Sequence, residues 1–442
     1  MDVDGKRGRR GLSRRELVAL CGAGVASLAL GGTAAGSEKA GSRSGRARSV
    51  IFVLGDGMGP AHRSAIQLAE VGPYGKLVMD QLPYAGVVGT DSADPETFIT
   101  DSAAAATAYA SGVRTYNGAT NVDARGNRLV ALARQAKAAG KSIGLVTTSQ
   151  VTDASPAAFG GASVKNRDEQ SEIARQYIEE VGVDVILGGG EDWWYPEGEE
   201  GAFPDNPPQD PEEHSRSDHG NLVRRARGLG YEYVTDAKQL DSARGPRILG
   251  LFANEEMFQQ RPEGQGDVYE PMPTLHQMTA KAISVLSRNP RGYFLFVEEE
   301  AIDEMSHNNN ARLVLKSGGQ LDRAVAVARY HAATSGDTLL IVTADHECGG
   351  LTVEGPDPGD ESGSGISPED GPFRVADAGY EFFMDWTTTS HTGVDVPLTA
   401  LGPGARNLTG KLENTDVHDI IARAMGLPVI QRARDLQAQT WS

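Results

Sequence analysis

Five short apolar runs, each of strand length, are separated by stretches with helical spacing, and this alternation constrains the fold more than any other feature. They are "SVIFVLGDGMG" from Ser49, "SIGLVTT" from Ser142, "DVILGGG" from Asp184, "YFLFVE" from Tyr293 and "TLLIVTADH" from Thr338. Helical stretches such as "RLVALARQAKAAG" and "TLHQMTAKAISVLSRN" lie between them. Continuously apolar strands alternating with helices predict an α/β chain: a three-layer sandwich with a large, mostly parallel central sheet covered on both faces. A last helix is predicted over Val417–Met425, capped by "NTD" at Asn414–Asp416 and stopped at Gly426.

In open α/β sheets chemistry gathers beyond the carboxyl ends of the strands. Three of the runs end there in an acid: Asp56, Glu298 and Asp345, the last followed directly by His346. One such acid is ordinarily a turn residue or a cap. Three together repel unless a cation gathers them. In "EEEAIDEMSH", Asp303 and His307 stand four apart, on one face if the segment is helical, which suits either a surface ion pair or a chelating pair. His391 in "TTSHTGVDVPL" is by itself an unremarkable loop histidine.

"TDSAAAATAYASG" places Asp101 and Ser102 at the first turn of an alanine-rich helix, where unpaired N–H groups and the helix dipole favour negative charge. Ser102 alone is most simply a cap. The company of the other pieces turns it into a nucleophile candidate. Together "GDGMG", "TDSAAAATAYASG", "VTDASPAAF", "NRDEQSEIA", "DVILGGG", "VEEEAID" with His307, "VTADHE" and "HTG" resemble, in order, the alkaline phosphatase family, over roughly Val50 to Leu427.

The resemblance implies an alkaline phosphatase-like sandwich that hydrolyses phosphate monoesters through a phosphoserine at Ser102. It implies two zinc ions, one held by Asp303, His307 and His391, the other by Asp56, Asp345 and His346 with Ser102 as exchangeable oxygen ligand. It implies one magnesium ion at Glu298, Ser155 and Asp56, with Asp153 close by, and Arg167 as the clamp on phosphate. Mixed imidazole and carboxylate donors suit zinc, and an all-oxygen set suits magnesium. A homodimer is the usual state of such chains. The competing readings are a phosphodiesterase or sulfatase relative with the same two-metal core, or a non-catalytic phosphate- or metal-binding surface protein.

Two departures stand out. Glu304 occupies the place after Asp303 where relatives commonly have His, Lys or Trp, and Ser155 replaces a common Thr. Asp101 is expected to cap the helix or orient Arg167, and Cys348 to be a small buried filler. Trp193 and Trp194 are expected to pack as core or loop anchors. His62, His214, His219, His276, His331 and His418 lie outside the matched positions and receive no role.

The first 35 residues have an export layout: basic residues from Lys6 to Arg15, the apolar "LVALCGAGVASLAL", then small residues. "SRREL" gives it a twin-arginine character, and an uncleaved anchor is the alternative. Residues 36–49 are expected to be a disordered linker and residues 50–442 a single catalytic domain. Acidic surface loops are expected near 191–218 and 354–372. Removing residues 1–35 leaves Cys348 as the sole cysteine and takes the formal charge from −18 to near −21. Such a surface repels nucleic acid and anionic membranes, so neither is an expected partner. No stable membrane span is expected after cleavage.

Overall fold

The computed structural model describes residues 45–355 and 370–429; the expected export segment and most of the linker lie outside them. Ten strands form the central sheet. In chain order they are β1 (Ser49–Gly55), β2 (Tyr84–Gly89), β3 (Ser142–Gln150), β4 (Val185–Gly189) and β5 (Glu232–Val234). They continue as β6 (Ile248–Leu251), β7 (Tyr293–Glu299), β8 (Thr338–Thr343), β9 (Val396–Leu401) and β10 (Gly410–Glu413). Their spatial order is β10-β2-β9-β8-β1-β7-β3-β4-β6-β5. Only β9 runs antiparallel to its neighbours.

The five predicted runs are β1, β3, β4, β7 and β8. Every residue of β1, β7 and β8 is buried, as expected of strands covered on both faces. Helices Pro60–Val71, Leu275–Leu286 and Ala311–Ser335 pack as one group, with the last two against the strands. Helices Ser102–Ser111, Leu132–Ala138, Ala154–Gly160 and Asn414–Met425 form a second packed group. The last of these begins three residues earlier than the sequence suggests, because Glu413 and Asp416 form the capping box and Asn414 is already helical. Among the described residues no helix is long and apolar enough to cross a membrane.

Order also begins earlier than the linker expectation. Ala47 is buried and its N–H donates to Ala424 O, while Arg48 pairs with Asp337. The acidic stretch 191–218 is partly interior: Glu191 and Asp192 are buried, Glu191 accepting from Ala202 N and Phe203 N. Trp194 is wholly buried, and Trp193 donates Nε1 to Gln150 Oε1 at 2.5 Å, so both anchor the loop.

The register of the sheet assembles the site. Leu54 of β1 pairs with Glu298 of β7 and Thr343 of β8, and Thr147 of β3 pairs with Glu298. Parallel neighbours therefore end together, and the chain just past them carries Asp56, Asp345, His346, Asp153 and Ser155 to one edge. A two-stranded ladder pairs His391 with Cys348 and Thr392 with Glu347, which brings the distant histidine beside His346.

Candidate active site

Ser102 is the first residue of its helix, which is buried along its whole length. Asp101 is the N-cap: Oδ1 accepts from Ala104 N at 2.8 Å and Oδ2 accepts from Gly118 N at 2.8 Å. Arg167 Nη1 lies 3.7 Å from the same Oδ2, so both expectations for Asp101 hold. The Ser102 hydroxyl stands 3.3 Å from His346 Nε2. That nitrogen is also 3.1 Å from Asp345 Oδ2 and 3.5 Å from Asp56 Oδ1. The four residues expected at one zinc thus converge on a single buried point.

Asp303 and His307 lie on a short helix, Ala301–His307, with His307 Nε2 3.1 Å from Asp303 Oδ2. His391 Nε2 is 3.6 Å from the same oxygen and 3.1 Å from His307 Nε2. Their other ring nitrogens, each called Nδ1, face backbone carbonyls, Thr389 O for His307 and Thr100 O for His391. A donated Nδ1–H turns both Nε2 lone pairs inward, the tautomer a metal ligand needs. These two carbonyls carry no side-chain signature, and sequence reasoning missed them. Asp303 approaches so closely because Gly57, at φ +64°, has no side chain: a Cβ there would lie 2.4 Å from Asp303 Oδ1.

Glu298 is buried and accepts from Thr147 Oγ1 at 2.6 Å, a partner the sequence reading did not single out. Ser155 lies beside Glu298. Asp153 lies near enough to Glu298 to raise its carboxyl, and it also forms an ion pair, Arg167 Nη2 to Asp153 Oδ1 at 2.7 Å. This charge-assisted contact and the longer one to Asp101 fix the direction of the guanidinium. Cys348 is buried, as a filler should be, yet it sits inside the group formed with Asp303, His307 and His391. Burial and the neighbouring Asp303 push its thiol far up, which keeps it a protonated thiol.

The donor set fits metal ions. Asp56 Oδ1, Ser155 Oγ, Asp303 Oδ1, Asp345 Oδ2 and His346 Nδ1 are buried without a hydrogen-bond partner. Burial, then the charges of Asp345 and Asp303, push the Asp56 carboxyl well above its ordinary range. Burial does the same to Glu298 against the opposing hydrogen bond from Thr147. Carboxylates crowded in this way stay ionised only beside compensating positive charge.

Further acids deepen the effect. Glu300 is buried among Asp153, Glu304, Glu256 and Glu298, and Glu304 is pushed up to about 7 by burial and Asp303. Glu304 is half-buried next to Asp303; Asp303 and Asp153 raise its carboxyl, and His307 and Arg167 lower it. His62, in contrast, is an interior histidine bonded to Ser306 Oγ at 3.0 Å and lowered to about 3 by burial.

A mostly parallel sheet whose strand ends gather a serine, carboxylates and imidazoles defines an α/β protein with a donor set suited to metal-assisted hydrolysis. The sequence profile of the family described as alkaline phosphatase matches residues 47–366. Alkaline phosphatase 4 of Bacillus subtilis is 31% identical, the match covering 86% of this chain and 88% of that protein. Streptomycin-6-phosphate phosphatase of Streptomyces griseus is 33% identical over 89% of this chain and 94% of its own length. A variant of the alkaline phosphatase from the Antarctic bacterium TAB5, solved with magnesium bound, superposes with a TM-score of 0.68 at 26% identity. That match covers 87% of this chain and 99% of the other. The chain belongs to the alkaline phosphatase family, and it is a phosphoric monoester hydrolase.

Proposed function

We propose that the protein is an exported alkaline phosphatase that forms a phosphoserine at Ser102. The observation that carries this reading is the convergence of Ser102 Oγ, Asp56 and Asp345 on His346 Nε2 at 3.1–3.5 Å, at a buried helix N-terminus. Asp303, His307 and His391 would hold one zinc ion, and Asp56, Asp345, His346 and Ser102 a second. Glu298, Ser155 and Asp56, with Asp153 near, would hold magnesium. When bound, these ions supply the positive charge that acidifies the serine hydroxyl and steadies the attacking and leaving oxygens.

The chain's own residues do the rest. Ser102 Oγ gives its proton to solvent and attacks phosphorus in line; the bond from phosphorus to the alcohol oxygen breaks, and that oxygen takes a proton from water and leaves as the alcohol. Arg167, already aimed by Asp101 and Asp153, exchanges its carboxylate contact for two phosphoryl oxygens and orients the group. Water then attacks the phosphoserine and gives up a proton, the Ser102–phosphorus bond breaks, Ser102 Oγ takes a proton back, and inorganic phosphate leaves. The helix dipole at Ser102 favours the serine oxyanion in both steps. Export is supported by the charged, apolar and small-residue order of residues 1–35.

The test pairs metal analysis with hydrolysis of p-nitrophenyl phosphate and of bis-p-nitrophenyl phosphate. The account expects zinc and magnesium together and strong preference for the monoester. Preference for the diester makes the protein a phosphodiesterase relative instead, and metal without turnover of either makes it a binding protein.

A further inference from the structure

Solvent reaches the site past His391 and His307, and also past Arg167, whose side chain is 30% exposed. The side chains of His346, Asp345 and Asp56 are 0–3% exposed, whereas those of His391 and His307 are 13% and 31% exposed. Ser102 lies on the inner side, against His346. In-line displacement puts the departing oxygen on the face of phosphorus opposite the nucleophile. The organic part of the substrate therefore leaves past His391 and His307.

The two sides of that mouth differ in chemistry. Beside His307 are polar groups: Asn308 bonded to Gln260, and Asn309 bonded to Thr388 O. Beside His391 are two exposed apolar side chains, Phe98 at 63% and Val394 at 45%. Phe98 precedes by two residues the Thr100 carbonyl that faces His391 Nδ1 at 2.9 Å. Its ring rests on Gly393, two residues past His391, so tightly that a Cβ there would lie 2.5 Å from Phe98 Cε2. The loop beneath is pinned by Ser92 N to Phe98 O at 3.0 Å and Ser92 Oγ to Thr97 O at 3.2 Å. An aromatic ring is thus held beside the His391 segment, with its apolar surface toward water.

We propose that Phe98, seated on Gly393 and flanked by Val394, is a subsite for a flat apolar leaving group, which makes aryl phosphates preferred substrates. The proposal rests on the phosphomonoesterase reading above. A planar leaving group removes aromatic surface from water and stacks on the ring, whereas a small polyol has no surface to offer it.

The experiment compares kcat/KM for naphthyl phosphate and glycerol phosphate in the zinc- and magnesium-loaded wild type, Phe98→Ala and Phe98→Trp. Metal content and subunit number by light scattering are recorded for each. The naphthyl-to-glycerol ratio should fall about tenfold in Phe98→Ala, as loss of one aromatic face predicts, and be kept in Phe98→Trp. A ratio unchanged in Phe98→Ala overturns the subsite. Equal falls for both esters with a change in subunit number overturn it too, and make Phe98 a contact between copies. If the loaded wild type hydrolyses neither ester, the phosphomonoesterase reading itself fails, and the subsite with it.

Discussion

Asp56, Glu298 and Asp345 stand at the ends of three adjacent parallel strands, while His307, His391 and Arg167 come from a short helix, a two-residue ladder and a loop. The inner group is locked by the hydrogen-bond register of β1, β7 and β8, so its carboxylates cannot move apart when positive charge is withdrawn. The outer group is partly exposed and lies outside that register. Inner ligands should therefore couple metal to stability, and outer ligands should couple metal chiefly to turnover.

The largest expected effect is from metal removal. A chelator should abolish activity and lower the Tm, because the inner carboxylates then repel without compensation. Zinc plus magnesium should restore activity better than either alone, and full recovery with calcium alone would break the two-zinc assignment. The metal-free protein should also lose stability as pH rises from about 6.5 to 8. In that window the folded state holds protons the unfolded chain has shed: Glu256 and Glu304 titrate near about 7, Glu299 about 8 and His307 about 9. Burial raises the three acids, and the Asp303 hydrogen bond raises His307 against its own burial. Thermal melts of apo and loaded protein across this range check the sign.

Next in size is the nucleophile. Ser102→Ala should lower kcat at least about 100-fold while zinc content and fold persist, since only metal-held water remains to attack. Near-normal turnover with metal content verified would remove Ser102 from the mechanism.

A smaller effect separates the two halves directly. Asp56→Asn should lower the Tm of the loaded protein but raise that of the metal-free protein, because burial and four neighbouring acids already disfavour its charge. His391→Gln should shift either Tm little while cutting turnover. If the two variants behave alike in both states, the inner–outer distinction is wrong.

The smallest effect concerns Glu304, half-buried next to Asp303. Glu304→Lys should tighten competitive inhibition by phosphate about fivefold, since a like charge near the dianion costs on the order of 1 kcal/mol in high effective dielectric. Turnover should fall where product release is slow. An unchanged Ki at matched ionic strength would return Glu304 to a surface role.

The inner half was legible in the sequence because a covered parallel strand reads as an uninterrupted apolar run, and its terminal acid marks the site. β1, β7 and β8 follow that rule. β2 and β10 hide, since "YAGVVG" and "GKLE" are short, glycine-bearing and largely exposed. The placement of His391 was legible only through family resemblance: a two-residue ladder has no periodicity to detect. The ion pair of Asp153 with Arg167, and the approach of Glu256 to Glu300, depend on side-chain approach across separate segments. No spacing in the chain encodes such approach.

The central claim is that Ser102 takes the phosphoryl group. The loaded enzyme should be mixed with a phosphate monoester, quenched in acid during turnover, digested and examined by mass spectrometry. The account predicts one phosphoryl group on Ser102, absent from Ser102→Ala. Sustained turnover with that serine never phosphorylated, or with the phosphoryl group on another residue, would contradict it.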